Sequence, residues 1–112
     1  MHKEILTAPQ VELLPFIEKF NDNFYLAGGT SLALQIGHRR SIDFDLFTKA
    51  DSLNKDKIKS AFMKLSGTGK SVIYEAFDQI HFFVNGVKIT FFTYPFDIIT
   101  DISFEDICRM PI

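Results

Sequence analysis

Between Ile42 and Phe47 the chain alternates apolar and acidic residues, Ile42-Asp43-Phe44-Asp45-Leu46-Phe47. A side-chain period of two belongs to a β-strand, so Ile42, Phe44 and Leu46 face one side while Asp43 and Asp45 share the other. The segment is therefore expected to be a half-buried strand with its apolar residues on a core. Two ionised carboxylates this close repel each other unless a cation lies between them or one is protonated. Divalent Mg²⁺ takes oxygen ligands and is commonly shared between carboxylates and the phosphates of a substrate. The plainer alternative is an edge strand carrying two solvated acids.

What precedes the acids narrows the choice. Phe24-Tyr25-Leu26-Ala27 reads as a short strand, Gly28-Gly29 follows, and Thr30 to Ile36 reads as a short helix with Thr30 or Ser31 as its N-cap and Gly37 at its end. Glycines at such a junction let the backbone approach a ligand, and the free N–H groups of a helix start suit phosphate. Taken alone, the glycine pair is a weak signal and reads first as a plain turn. Arg40 and Ser41 stand next to the acidic strand, with His38 and Arg39 just before them. This group is placed either to touch substrate phosphates or to form a polar loop.

Elsewhere the pattern is of alternating helices and strands. Val11, Leu13, Leu14, Phe16, Ile17 and Phe20 suit an amphipathic helix, with Pro9 in its first turn. Pro15 does not suit a helix interior, which predicts one turn followed by a second helix starting near Pro15. Residues 53–65 read as a helix, ended by Ser66-Gly67-Thr68-Gly69. Three strands follow at 72–77, 79–84 and 87–94, the last two joined by Asn85-Gly86, a strong two-residue hairpin signal. Ser103 to Arg109 reads as the start of a further helix, with Ser103 as N-cap. No repeat or linker divides the chain, so residues 1–112 are expected to form one domain.

Hydrophobic residues make up 46% of the chain, thirteen of them phenylalanine, enough for a real core. A net charge of −2 argues against a general nucleic-acid binder, although residues 49–70 hold six lysines against two aspartates. That basic stripe reads first as a solvated helix face. The single cysteine, Cys108, rules out an intrachain disulfide and fits a reducing, cytoplasmic setting. No apolar run reaches the roughly 18 residues of a membrane helix, so no membrane partner is expected. Gly67-Thr68-Gly69-Lys70-Ser71 has the tail of a phosphate-binding P-loop but lacks its first glycine, Lys64 standing in that position, and it precedes a strand. His81, in an aromatic strand, reads as structural.

The string Tyr25-Leu26-Ala27-Gly28-Gly29-Thr30-Ser31-Leu32-Ala33-Leu34, continued by His38-Arg39-Arg40-Ser41-Ile42-Asp43-Phe44-Asp45-Leu46, resembles the AbiEii/AbiGii toxin family of nucleotidyltransferases, within the DNA polymerase β-like superfamily. Gly86-Val87-Lys88-Ile89-Thr90-Phe91-Phe92 and Tyr94-Pro95 also resemble the family. The resemblance implies an α/β (α+β) fold: a mixed sheet flanked by helices, with a β-hairpin at residues 79–94 toward its C-terminal side. It implies transfer of a nucleoside monophosphate from an NTP, with Mg²⁺ or Mn²⁺ as cofactor. Asp43 and Asp45 would be the catalytic metal ligands, and Gly28, Gly29, Thr30 and Ser31, with Arg40 and Ser41, would hold the triphosphate. The acceptor would be RNA, such as tRNA, or a protein hydroxyl, and a cognate antitoxin would be a partner.

The chain departs from the pattern twice. The superfamily commonly carries a third carboxylate on a following strand, where this chain has Thr90. Family members also usually continue into a helical portion bearing a lysine and a further acid, to which residues 102–112 would be the lead-in. Both departures keep open a second reading, a catalytically inactive module of the same fold that binds nucleotide or a partner. A third is an interaction domain that uses its aromatic hairpin.

Overall fold

The computed structural model describes residues 6–27, 43–65, 69–95, 101–104 and 108–111. Its elements in chain order are α1 (Ala8–Glu18), β1 (Tyr25–Ala27), β2 (Asp43–Thr48), α2 (Lys55–Met63), β3 (Ser71–Ala76), β4 (Gln79–Val84), β5 (Val87–Thr93), β6 (Asp101–Phe104) and β7 (Cys108–Pro111). The strands form one mixed sheet in the order β3-β4-β5-β2-β1-β7-β6. β2 runs parallel to β5, β1 runs parallel to β7, and the other pairs are antiparallel. The expected mixed sheet with flanking helices is thus present.

Helix α1 begins at a capping box. The Thr7 side chain accepts from the Gln10 N–H, and the Gln10 side chain accepts from the Thr7 N–H. The helix then runs unbroken through Pro15, where the sequence predicts a break and a second start. An interior proline costs about 3 kcal/mol. Burying Leu13, Leu14, Phe16 and Ile17 returns roughly 1.5 to 3 kcal/mol for each side chain. Tertiary burial therefore outweighs the local defect.

The core lies between the helices and one face of the sheet. Phe91, fully buried on β5, sits at its centre, with the rings of Phe16, Phe20, Phe24 and Phe82 around it at centroid distances of 4.9 to 6.3 Å. Phe62 of α2 stacks on Phe82 at 4.1 Å. Phe44 and Leu46 of β2 join this cluster, as the alternation requires.

The hairpin between β4 and β5 turns at Asn85 (φ 52°) and Gly86 (φ 78°), both left-handed. Two successive left-handed residues make the primed turn that matches strand twist, which explains the Asn-Gly pair. Expected strands at 72–77, 79–84 and 87–94 match β3, β4 and β5 to within a residue at each end. The helix expected from Ser103 to Arg109 is corrected: 101–104 and 108–111 are strands β6 and β7, paired to each other, with Arg109 of β7 beside Tyr25 of β1. A seven-residue helix is marginal by itself. Here, hydrogen bonds to a sheet edge contributed by residues far away in the chain take precedence.

Candidate functional site

Asp43 and Asp45 occupy alternate positions of β2, both partly exposed, while Phe44 and Leu46 between and beyond them are buried on the helix side. Their Cα atoms are about 6.6 Å apart along the strand, a span that two carboxylates can close around one ion. The face they share is completed by the neighbouring strands. In register, Asp43 lies beside Lys88 and Asp45 beside Thr90 on β5. On β4, His81 lies beside Thr90 and Phe83 beside Lys88. Lys88, Thr90 and His81 therefore stand on the acid face.

The electrostatics follow from that arrangement. Burial raises the Asp45 carboxyl above the usual carboxylate range, and the Asp43 charge raises it further. Lys88, His81 and a hydrogen bond with the Thr90 side chain pull the other way. Burial and the Lys88 charge hold the His81 imidazole below its ordinary value, against the attraction of Asp45. The His81 Nε2 lies 2.7 Å from Gln79 Oε1, within hydrogen-bond distance.

The acids are anchored from behind. Gln10, fully buried, uses its Oε1 in the α1 cap and donates from Nε2 to the backbone carbonyl of Asp43 across 3.4 Å. One side chain thus ties the start of α1 to the start of β2. Thr7 with Gln10 three residues on is a capping-box spacing, but the bond from Gln10 to Asp43 depends on the fold.

Past the acids the same face becomes aromatic. Tyr25 stacks on Phe47 at 5.3 Å, and Phe92 and Tyr94 meet Phe47 at 5.9 and 5.6 Å. A cavity of about 200 Å³, lined in part by Phe20, Asn23, Thr48, Asn54 and Lys57, opens at the other end of β2, among residues of the helix side. It takes no part in the acid site. Three of the six lysines in the basic stripe are used within the fold: Lys59 and Lys55 pair with Glu75 at 2.7 and 3.7 Å, and Lys70 donates to the carbonyls of Met63 and Leu65.

Gly28, Gly29, Thr30, Ser31, Arg40 and Ser41, expected to cradle a triphosphate, lie outside the described residues, as do His38 and Arg39. The strand that leads to them is present: β1 ends at Ala27, which lies beside Asp45 in the antiparallel register. Among the described residues no group of three or more His, Cys, Asp or Glu side chains is gathered to hold a metal. Two carboxylates are nonetheless a fitting donor set for Mg²⁺, which usually takes one or two carboxylates and completes its octahedron with phosphate and water oxygens. Among the described residues no helix is long and apolar enough to cross a membrane.

The family described as nucleotidyl transferase AbiEii toxin, of type IV toxin–antitoxin systems, matches residues 16–112. An uncharacterised protein of Aquifex aeolicus (strain VF5) is 37% identical over 79 residues, which cover 70% of this chain and 37% of that protein. The crystal structure of a candidate nucleotidyltransferase from Thermotoga maritima superimposes with a TM-score of 0.52 at 17% identity, covering 95% of this chain and 66% of that one. That likeness is one of fold. The chain spans well under half the length of its Aquifex relative.

Proposed function

The chain belongs to the AbiEii nucleotidyl transferase toxin family, and from that premise we propose that it forms the metal- and nucleotide-binding core of an NMP transferase. The observation that carries this reading is the pair Asp43 and Asp45, held on one face of β2 with Lys88 and Thr90 beside them.

In this reading the two carboxylates hold Mg²⁺ or Mn²⁺ against the triphosphate of an NTP. Held by Asp43 and Asp45, such an ion would supply polarisation of the α-phosphate and neutralise charge that develops during transfer. An acceptor hydroxyl attacks the α-phosphorus, the bond to the bridging oxygen of the β-phosphate breaks, pyrophosphate leaves, and the hydroxyl proton passes to water. Gly28, Gly29, Thr30, Ser31, Arg40 and Ser41 are the proposed triphosphate contacts. The chain's own contribution is mostly positioning. The β2 backbone is fixed by β1, β5 and the Gln10 side chain, so the carboxylates need little rearrangement when the substrate arrives. An RNA such as tRNA or a protein supplies the hydroxyl, the setting is the cytoplasm, and a cognate antitoxin restrains the activity.

Asp43→Asn and Asp45→Asn test the proposal. Each is expected to lower metal-dependent transfer from labelled NTP by at least about 100-fold while the circular dichroism of the fold stays unchanged. Transfer at wild-type rate by both variants would sink it. A second reading, the inactive module, is favoured by one observation: Thr90, a neutral side chain, is the β5 neighbour of Asp45. Binding of NTP and Mg²⁺ with no transfer to any acceptor would support the module.

A further inference from the structure

We infer that the acid face is built for a single divalent cation, with the Lys88 ammonium standing where a second cation would otherwise meet the substrate phosphates. This rests on the nucleotidyltransferase reading and specifies its site further.

Sites with two metals hold them about 4 Å apart as a clamp on the attacking and leaving oxygens. Each ion needs anionic oxygen from the protein. The register shows what the described strands of this face supply. β2 contributes Asp43 and Asp45, and the adjacent positions on β5 are Lys88 and Thr90. Beyond Thr90 the next side chain is His81, whose Nε2 lies against the Gln79 side chain. The second strand of the site therefore brings a fixed positive charge and a neutral hydroxyl, with no carboxylate.

Both substitutions act in the same direction. Thr90 lies beside Asp45 in the register, and its neutral hydroxyl adds no anionic charge to hold a metal. Lys88 lies one strand spacing from Asp43, about 4.8 Å between backbones, and its charge is also felt at Asp45. On the described strands a second dication there would meet the Lys88 ammonium and no further carboxylate. An ammonium on a flexible four-carbon stem is itself a good partner for phosphate, offering three donors and no acceptor. Lys88 is partly exposed, so its long side chain can swing toward a phosphate bound at the acid face.

The arrangement predicts that metal and lysine compete in the empty site and cooperate in the filled one. Without nucleotide, Lys88 lowers metal affinity by offsetting the carboxylates. With nucleotide, it strengthens binding through the phosphates. A residue that only supported the sheet would move both affinities the same way.

The test is Mn²⁺ binding to the 112-residue chain, counted by electron paramagnetic resonance with and without the α,β-methylene analogues of the four NTPs. The wild-type chain is expected to hold one Mn²⁺ with or without an analogue. Lys88→Met should tighten Mn²⁺ binding to the bare chain about threefold by removing a like charge. The same variant should weaken analogue binding about tenfold, the worth of a charge-assisted hydrogen bond. Thr90→Asp supplies a carboxylate beside Asp45 and should raise the count to two. Two Mn²⁺ in the wild-type chain, a count of one in Thr90→Asp, or a Lys88→Met chain weakened toward both ligands would each overturn the inference. Two Mn²⁺ bound together with an analogue would leave the nucleotidyltransferase reading standing. A wild-type chain that takes neither Mn²⁺ nor any analogue would remove that reading and this inference with it.

Discussion

The two faces of the sheet are made from the same strands and have opposite physics. On the helix side β2, β4 and β5 present Phe44, Leu46, Ile80, Phe82, Ile89 and Phe91, all buried. On the other side the same strands present Asp43, Asp45, Lys88, Thr90 and His81, with charge close together and partly withdrawn from water. One residue step along a strand moves from one regime to the other. The helix side can be altered by repacking, because any apolar side chain of similar volume does the same work. The acid side cannot, because its work depends on which atom carries which charge. Stability should therefore be lost through the first face with the chemistry untouched in kind, and chemistry through the second with stability preserved or improved.

The largest break in this comparison should come from Phe91→Ala. Phe91 touches Phe16, Phe20, Phe24 and Phe82, and removing its ring leaves a void at the meeting point of α1 and the sheet. Phenylalanine-to-alanine changes in cores cost about 3 to 5 kcal/mol, a large share of the stability of a domain this size. Urea denaturation should show a strongly lowered midpoint or no folded baseline. A midpoint within experimental error of wild type would mean that the core is organised elsewhere.

Phe91 also marks how far sequence alone reaches. The alternation from Ile42 to Phe47 and the strands of residues 72–94 carry their own periodicity, and Asn85-Gly86 carries its own turn chemistry, so these elements are local and were legible. So was the face shared by Asp43 and Asp45, because a strand allows no other arrangement. Pro15 and Ser103 misled for one reason: a local signal pointed one way, and contacts with remote residues decided otherwise. Leu13, Phe16 and Ile17 keep α1 whole against its proline, and Tyr25 recruits Arg109 into the sheet across more than eighty residues of chain. The approach of Lys88 and His81 to the acids belongs to the same class. Each lies on a strand whose own pattern is unremarkable, and only the order β4-β5-β2 brings them in.

A smaller effect sharpens the comparison at its one crossing point. Gln10 is buried on the helix side yet bonds the backbone of an acid-face residue. Gln10→Leu keeps the bulk and removes both the cap acceptor and the bond to the Asp43 carbonyl. A lost hydrogen bond of this kind costs about 1 kcal/mol net, and somewhat more where a buried partner is left unsatisfied, so a loss of about 1 to 2 kcal/mol is expected. If Gln10 also sets the position of β2, Mn²⁺ binding at the acids should weaken in the same variant. Stability lost with metal affinity intact would show that the two faces are mechanically independent there.

The smallest effect has the most telling sign. The Asp45 carboxyl is held above its usual range by burial and by Asp43, so in the metal-free fold its ionisation is a cost. A proton bound more tightly by the folded than by the unfolded state stabilises the fold fully only below the unfolded pKa, and that stabilisation disappears as pH rises through the higher folded pKa. Asp45→Asn removes the titration. In the absence of divalent metal the variant should therefore gain on wild type as pH rises from the acid range toward neutrality, and the gain should level off above the folded pKa. Urea midpoints of the two chains at matched pH values, with a chelator present, measure the difference directly. The sign separates the two accounts of the site. An acid that supports the fold would make Asp45→Asn the weaker protein at neutral pH. An acid kept for a cation that is absent from the assay makes it the stronger one, and adding Mn²⁺ should then close the gap by stabilising the wild-type chain alone.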